Sequence, residues 1–211
     1  MTIVFDFGAV LFTWKPAQLL ARHFPQRAAD PQTAAALAHA VFGHTDWHRF
    51  DGGTLTMSEV VKRTALRLAL DINELTELVA AIADHLTPIA DTRNVLEQLC
   101  RKRSQDSTLR LYYLSNMPVP YARELERRHD FFQWFDGGVF SGDVRITKPD
   151  QAIYRLLQAR YAMDSTEIVF IDDLKANVAA AQALGWRGIH FESPQQLHAE
   201  LVSMDIIAKT L

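Results

Sequence analysis

Short apolar runs recur along the chain, and most are separated by segments with helical periodicity. Continuous apolar runs of this length are typical of parallel strands buried on both faces, and their alternation with helices is typical of a doubly wound sheet. The pattern predicts an α/β fold with a Rossmann-like parallel sheet, whose strands are expected at residues 2–5, 109–114, 138–140, 167–171 and 188–191.

Helices are predicted between and after these strands from their caps and apolar stripes. Pro149 suits the first position of a helix whose buried stripe includes Ile153. An alanine-rich helix over residues 175–184 is expected to end at Gly185, because glycine tolerates the left-handed conformation that closes many helices. The last helix is predicted over residues 194–204.

The segment of residues 14–88 carries no strand signal. Thr56 and Glu59 have the spacing of a capping box, and apolar positions in this segment follow the helical period. We therefore predict a small all-helical domain over residues 14–88, inserted into an α/β core formed by residues 1–13 and 89–211.

Composition and charge exclude several classes of protein. The 211 residues carry a formal net charge of −3 without a long block of like charge, which argues against a nucleic-acid surface. No apolar run is long enough to span a membrane, and no basic leader precedes the first strand. Cys100 is the only cysteine, so no internal disulfide can form. These features predict a soluble cytoplasmic protein, and the lack of an apolar surface stripe predicts a monomer or weak dimer.

Polar side chains follow four of the predicted strands. Ligands bind at the carboxyl ends of the strands in an open α/β sheet, so these side chains are expected to meet at one edge. A buried unpaired charge is costly, so the carboxylates among them require cations. The side chains are Asp6 after the first strand, Ser115 and Asn116 after the second, Lys148 in the loop after the third, and Asp172 and Asp173 after the fourth.

These residue types together suit phosphoryl transfer. Asp6 and Asp173 can share Mg²⁺, which prefers oxygen ligands, and the ion and Lys148 would screen the phosphoryl oxygens. Ser115 and the backbone N–H groups beside it would hold the remaining oxygens. Attack by Asp6 would form an aspartyl-phosphate that water then hydrolyses. The pattern predicts a Mg²⁺-dependent phosphomonoester hydrolase that acts on a small phosphorylated metabolite.

The four motifs resemble, in this order, those of the haloacid dehalogenase superfamily of aspartate-nucleophile phosphohydrolases, and the resemblance covers the whole chain. The family motifs are an apolar strand ending in Asp-x-Asp, a Ser or Thr after a strand, a lysine, and an acidic pair after a strand. Here they are Asp6-Phe7-Gly8, Ser115, Lys148 and Asp172–Asp173. The resemblance implies that the helical insert is the family's small helical cap. Similarity to bacterial members of the glucose-1-phosphatase type implies a small sugar phosphate as substrate.

The resemblance also implies a role for each matching residue at the metal. Asp6 would be both nucleophile and metal ligand, and the main-chain carbonyl of Gly8 would be a second ligand. Asp173 would bind the ion directly and Asp172 through a water molecule. Asn177 would support the metal-binding loop.

The remaining matches imply a phosphate site. Ser115 and Lys148 would hold the phosphoryl group, and Lys148 would also pair with Asp6. Asn116 would contribute its backbone N–H.

The chain departs from the family at Gly8, where the family has a second aspartate that serves as general acid and base. General acid–base catalysis is typically worth about 10²- to 10⁴-fold in rate. Three explanations are open: the substrate has a good leaving group, a cap residue such as His48 or Asp51 substitutes, or turnover is slow. Residues before the Gly52–Gly53 break of the cap are candidates for substrate specificity, with cap–core packing as the alternative; they are Trp47, His48, Phe50 and Asp51.

Two other functions compete with a phosphatase. A phosphate-binding or regulatory protein with weak turnover is favoured by Gly8. A 2-haloacid dehalogenase would use the same nucleophile without a metal, and the acidic pair Asp172–Asp173 speaks against it.

Overall fold

The computed structural model describes residues 1–208 and contains one five-stranded sheet of order β3-β2-β1-β4-β5. Every neighbouring pair of strands is parallel. The central position of β1 places its carboxyl end between those of β2 and β4. The predicted α/β fold is confirmed, and its strands are β1 (Thr2–Phe5), β2 (Arg110–Ser115), β3 (Gly137–Phe140), β4 (Ile168–Asp172) and β5 (Arg187–His190).

Helices connect the strands and cover the sheet. Among residues 1–208, no helix is both long and apolar enough to cross a membrane. The α-helices are α1 (Pro16–His23), α2 (Pro31–Phe42), α3 (Thr45–Asp51), α4 (Met57–Leu68), α5 (Ile72–Ala80), α6 (Ile82–His85), α7 (Ala90–Gln105), α8 (Val119–Arg128), α9 (Ser141–Val144), α10 (Gln151–Arg160), α11 (Lys175–Gln182) and α12 (Pro194–Ser203), and short 3-10 helices cover Asp130–Trp134 and Ser165–Glu167.

The three helices predicted with bounds or a start differ from the observed ones by at most two residues: α11 ends at Gln182 instead of residue 184, α12 ends at Ser203 instead of residue 204, and α10 does not begin at Pro149. The helix α10 begins two residues later, at Gln151, because the Asp150 side chain caps it by accepting a hydrogen bond from the Ala152 N–H. Pro149 therefore lies in the loop before the helix. The helix α11 is followed by Gly185 in the left-handed conformation, at a φ of 84°.

The six helices α1–α6, here called the helical insert, lie between β1 and α7. The two chain segments that join the insert to the core run side by side. The Ile89 N–H donates to the Leu11 carbonyl at 2.8 Å, and the Thr13 N–H donates to the Thr87 carbonyl at 2.8 Å. The predicted boundaries, after residue 13 and before residue 89, fall at this crossing. A separate cap domain stays a prediction.

The sheet is covered on both faces, as expected for a doubly wound fold. One cluster of buried residues includes Phe7 beside the sheet and continues through residues such as Val41 and Leu78 of the helical insert. A second cluster groups residues such as Tyr154 of α10 and Phe170 of β4. The carboxyl edge of the sheet thus faces the region where the helical insert meets the core.

Candidate active site

Asp6 directly follows the central strand β1. Its N–H donates to the Ile171 carbonyl of β4 at 2.9 Å, which continues the strand pairing by one residue. The Phe7 carbonyl then accepts hydrogen bonds from the N–H groups of Leu11 and Phe12, so the chain turns sharply toward the helical insert. Asp6 is therefore fixed at the carboxyl edge of the sheet by the strand before it and the turn after it.

Lys148 forms ion pairs with the buried carboxylates. Its Nζ lies 2.9 Å from Oδ1 of Asp6 and 2.6 Å from Oδ2 of Asp172, and its side chain is 2% exposed. Burial alone would lower the pKa of Lys148, but the charges of Asp172 and Asp6 outweigh burial and raise it. Lys148 is therefore positively charged, and the predicted pairing of Lys148 with Asp6 is present.

The side chain of Asn116 holds the backbone of Lys148. Its Nδ2 donates to the Lys148 carbonyl at 3.0 Å, and its Oδ1 accepts from the Lys148 N–H at 2.8 Å. This reciprocal pair fixes the loop after β3 to the loop after β2. The resemblance attributed only a backbone N–H to Asn116, and no spacing in the sequence indicates this contact between residues that are far apart along the chain.

Both carboxylate oxygens of Asp172 accept hydrogen bonds. Oδ1 accepts from the Leu174 N–H at 2.8 Å and from Nδ2 of Asn177 at 2.9 Å, and Oδ2 accepts from Lys148. Asp172 is completely buried. Asn177 therefore holds the Asp172 carboxylate, and its support of a metal-binding loop stays a prediction. Asp172 itself fixes Lys148 and the start of the Asp173–Leu174 loop, so a water-mediated role at a metal stays a prediction.

Three carboxylates form a candidate cation site. One oxygen from each of Asp6, Asp172 and Asp173 lies within 4.8 Å of the others. Burial, together with the charges of Asp6 and Asp172, raises the pKa of Asp173 to about 7. Lys148 supplies a single positive charge against the three carboxylates, so a further cation is needed when all are ionised. Oxygen ligands of this kind fit Mg²⁺.

Ser115 and Gly8 complete the polar part of the site. Ser115 is the last residue of β2, is 1% exposed, and lowers the pKa of Asp6 through a side-chain hydrogen bond. Burial is the larger influence and raises the pKa of Asp6 to about 6, even though Lys148 lowers it. Gly8 lines the same cavity as Asp6 and Asp173.

With Asp173 and Asp6 as the predicted ligands, Mg²⁺ binding is expected to weaken as the pH is lowered from about 7 to about 6, because burial raises their pKa values to about 7 and about 6 and a protonated carboxyl group would have to lose its proton to bind the ion. Below the pKa of a ligand the affinity falls by about tenfold per pH unit for each proton displaced. Calorimetric titration of Mg²⁺ at several pH values measures this slope. An affinity that does not change across this range would contradict the assignment of these two ligands.

The polar cluster lies in the wall of a cavity of about 240 Å³. Both the core and the helical insert contribute to its lining, and most side chains away from the polar cluster are apolar or aromatic. The lining residues of this group are Trp14, Phe42, Trp47, Ile82, Leu86, Met117, Pro118, Tyr121 and Leu174.

Three of the four insert residues suggested by the sequence line this cavity, namely Trp47, His48 and Asp51. Phe50 has a different role. It is 2% exposed, and its ring packs edge-to-face against Trp47 at 5.3 Å and against Tyr121 at 5.7 Å. Phe50 therefore supports the aromatic wall from behind. For Phe50 the structure thus favours packing, the alternative that the sequence left open for this stretch, over contact with a substrate.

Two curated relatives cover different shares of the chain. This chain is 26% identical to a sesquiterpene phosphatase of Aspergillus oryzae over 187 residues. The alignment covers 89% of this chain and 87% of the relative. This chain is also 33% identical to a phosphorylated carbohydrates phosphatase of Thermotoga maritima over 98 residues. That alignment covers 46% of this chain and 43% of the relative.

Solved structures share the fold. A HAD family enzyme of Bacteroides thetaiotaomicron, in complex with magnesium and inorganic phosphate, superposes with a TM-score of 0.69 at 16% identity over 93% of this chain and 98% of that chain. The L-2-haloacid dehalogenase of Xanthobacter autotrophicus superposes with a TM-score of 0.66 at 21% identity. The superposition covers 97% of this chain and 83% of that chain. A family model for haloacid dehalogenase-like hydrolases matches residues 1–185. With its ordered motifs, its sheet and this match, the chain belongs to the family of haloacid dehalogenase-like hydrolases.

Proposed function

We propose that the protein is a Mg²⁺-dependent phosphomonoester hydrolase that acts through an aspartyl-phosphate on Asp6. The observation that carries the proposal is the position of Asp6, which lines the cavity together with Asp173 and is paired with the buried Lys148. A phosphatase that works through an aspartyl-phosphate needs a carboxylate nucleophile, a cation site and a fixed positive charge at one point, and these residues supply all three.

Each residue has a distinct task in this mechanism. The Asp6 carboxylate attacks phosphorus, the ester P–O bond breaks, the alcohol leaves and an acyl phosphate remains, while Lys148 and the hydroxyl of Ser115 bind phosphoryl oxygens. Bound Mg²⁺, held by Asp6 and Asp173 with the Gly8 carbonyl, would neutralise negative charge on the phosphoryl group. Water then attacks the acyl phosphate and releases inorganic phosphate, which restores Asp6.

The cavity favours the phosphate ester of an apolar alcohol over a sugar phosphate. Trp14, Phe42 and Trp47 line it as a connected series, with ring centroids 5.1 Å and 4.6 Å apart along the series. The Tyr121 hydroxyl donates to the Val79 carbonyl at 2.6 Å, so it is already engaged. A sugar requires several polar side chains for its hydroxyl groups, whereas an apolar chain gains free energy by leaving water for such a wall.

The relatives support the same choice of substrate class. The relative that aligns over 89% of this chain is a sesquiterpene phosphatase, and sesquiterpenes are built on an apolar hydrocarbon skeleton. The phosphorylated carbohydrates phosphatase aligns over 46%. The small sugar phosphate expected from the sequence therefore becomes the second candidate for the same reaction.

A substrate panel tests the proposal. Inorganic phosphate release is measured from isopentenyl, geranyl and farnesyl monophosphate, from hexose phosphates and from p-nitrophenyl phosphate, each with Mg²⁺ and with EDTA. We expect Mg²⁺-dependent release, with the highest kcat/KM on a prenyl monophosphate. Preference for a hexose phosphate would overturn only the proposed substrate class. If no phosphate were released from any of these esters, the proposal that the protein is a phosphatase would be overturned.

Leu174 provides a test of the apolar wall that does not disturb folding. Its side chain is 55% exposed and lines the cavity directly after Asp173. Leu174→Asn is expected to lower kcat/KM for a prenyl monophosphate by about tenfold, because the substrate loses an apolar contact, and to leave p-nitrophenyl phosphate hydrolysis within about twofold. Leu66→Asn, at a residue that is 86% exposed and lies outside the cavity lining, is the matched control. Equal effects of Leu174→Asn on both substrates would argue against an apolar contact between Leu174 and the prenyl chain.

The competing functions make different predictions. A regulatory protein would bind phosphate esters and be stabilised by them without releasing phosphate. A dehalogenase would release halide from a 2-haloacid by attack of Asp6 without Mg²⁺, so the grouping of Asp172 and Asp173 with Asp6 as a candidate cation site speaks against it. The likeness to a dehalogenase structure at 21% identity concerns the fold.

A further inference from the structure

The site lacks a proton donor at the position where the family has its second aspartate. Gly8 lines the cavity beside Asp6, and a Cβ atom built on Gly8 meets no atom within 4 Å. Open space therefore lies next to the nucleophile. An alkyl phosphate has a poor leaving group, so its alkoxide oxygen needs a proton as the P–O bond breaks.

Two titratable residues of the helical insert line the cavity, namely His48 and Asp51. They lie on the same helix, α3, three residues apart. His48 is exposed to solvent, whereas Asp51 is partly buried. Asp51 is therefore the better shielded of the two.

Hydrogen bonds join the end of α3 to the loop that follows Ser115. The Asp51 carbonyl accepts a hydrogen bond from Oγ of Ser141 at 2.6 Å, and the same Oγ accepts one from the Met117 N–H at 2.9 Å. Met117 lies two residues after Ser115, so a single hydroxyl joins the backbone of Asp51 to the phosphate-binding loop. This bridge holds Asp51 at the junction of insert and core, where the cavity also contains Asp6.

A close backbone contact reinforces the junction. Gly53 has a φ of 62°, and a Cβ atom there would lie 2.5 Å from the Gly142 carbonyl oxygen. Only glycine permits this approach of the turn after α3 to the helix α9. The position of Asp51 is thus set by the fold on both sides of the junction.

The Asp51 carboxyl group has no hydrogen bond or ion pair within residues 1–208, although its backbone carbonyl is engaged. Burial raises the pKa of Asp51 well above the usual range of a carboxyl group. A carboxyl group that lines the same cavity as the nucleophile, has no partner of its own within residues 1–208 and has a raised pKa has the properties of a general acid.

We propose that Asp51 is the general acid and base of this site and replaces the carboxyl group that Gly8 cannot supply; this inference rests on the proposed phosphatase function. As an oxygen of Asp6 bonds to phosphorus, the ester P–O bond breaks, its electron pair stays on the leaving oxygen, and that oxygen takes the proton of Asp51. The Asp51 carboxylate then takes a proton from the water whose oxygen attacks the acyl phosphate. The bond between phosphorus and Asp6 breaks, and both carboxyl groups return to their starting states.

Leaving-group dependence tests the proposal. Asp51→Asn is compared with the wild type on p-nitrophenyl phosphate, whose leaving group needs no proton, and on the alkyl phosphate that the wild type hydrolyses fastest. We expect the alkyl phosphate rate to fall by about 10²- to 10⁴-fold. With p-nitrophenyl phosphate we expect a first-turnover burst of p-nitrophenol at the wild-type rate and slow turnover afterwards, because the second step still needs the base.

Two further variants serve as controls. Asp46→Asn removes another carboxylate of α3, which pairs with Arg63 at 3.2 Å and lies outside the cavity lining, and we expect wild-type kinetics. His48→Gln tests the other titratable lining residue. A leaving-group-dependent loss in His48→Gln, without one in Asp51→Asn, would overturn the assignment to Asp51.

Restoring the family's aspartate provides a second, independent test. The open space at Gly8 accommodates a side chain, so Gly8→Asp is expected to recover alkyl phosphate hydrolysis by at least about tenfold in the Asp51→Asn background. An unchanged alkyl phosphate rate in Asp51→Asn, or an equal loss of the first turnover on both substrates, would overturn the role of Asp51 and leave the phosphatase intact. A wild type that releases phosphate from neither substrate would overturn both.

Discussion

Replacing Asp6 by asparagine is expected to lower kcat by at least about 10⁴-fold on every phosphate ester that the wild type hydrolyses. Asparagine has nearly the same shape as aspartate, but its amide cannot form an acyl phosphate. Because Asp6 is the only group proposed to bond with phosphorus, no other residue compensates for its loss.

The same substitution is expected to leave the fold intact. Burial raises the pKa of Asp6 to about 6, which means that the ionised carboxylate is disfavoured in the folded protein. Lys148 keeps its pairing with Asp172 at 2.6 Å when Asp6 becomes neutral. Thermal unfolding of metal-free Asp6→Asn should therefore occur at or above the wild-type temperature. Residual kcat within about tenfold of the wild type would show that Asp6 is not the nucleophile.

Replacing Lys148 by methionine is expected to reduce the free energy of unfolding by about 3–5 kcal/mol, because it leaves buried carboxylates without their cation. Lys148 is the only charged group that pairs with Asp6 or Asp172 within residues 1–208. Denaturant unfolding of the metal-free protein measures the change. Hydrolysis is expected to fall as well, since Lys148 also binds the phosphoryl group in the proposed mechanism.

Two companion variants test whether the loss of a buried ion pair causes the change in stability. Lys175→Met, at an exposed lysine that begins α11, is expected to change the free energy of unfolding by less than about 0.5 kcal/mol. Combining Lys148→Met with Asp172→Asn removes both charges of one pair, so it should recover part of the stability but none of the activity. Equal stability of Lys148→Met and Lys175→Met would contradict the ion-pair assignment.

The sheet could be predicted from the sequence because buried parallel strands are continuous apolar runs. The strand of residues 2–5 was predicted at its observed bounds, and β2 and β4 differ from the predicted strands by one residue at each end. Since the carboxyl ends of parallel strands meet at one edge, the convergence of Asp6, Lys148 and Asp173 could also be anticipated.

The parts that could not be predicted depend on loops and on side-chain direction. The reciprocal hydrogen bonds between Asn116 and Lys148 join two loops whose approach no local pattern encodes. Phe50 lies within the suggested stretch of the insert, yet the turn of α3 directs its ring into the core. Trp14 and Tyr121 come together in one cavity from distant positions, so the apolar character of the substrate site becomes visible only in the fold.

The most direct test of the central claim is to trap the acyl phosphate. The wild type is mixed with its best substrate and Mg²⁺, quenched after one turnover and reduced with borohydride, which converts an aspartyl-phosphate into homoserine, and the peptide containing Asp6 is analysed by mass spectrometry. We predict homoserine at position 6, dependent on substrate and absent when EDTA replaces Mg²⁺. Rapid phosphate release with an unmodified Asp6 at every quench time would contradict an aspartyl-phosphate mechanism.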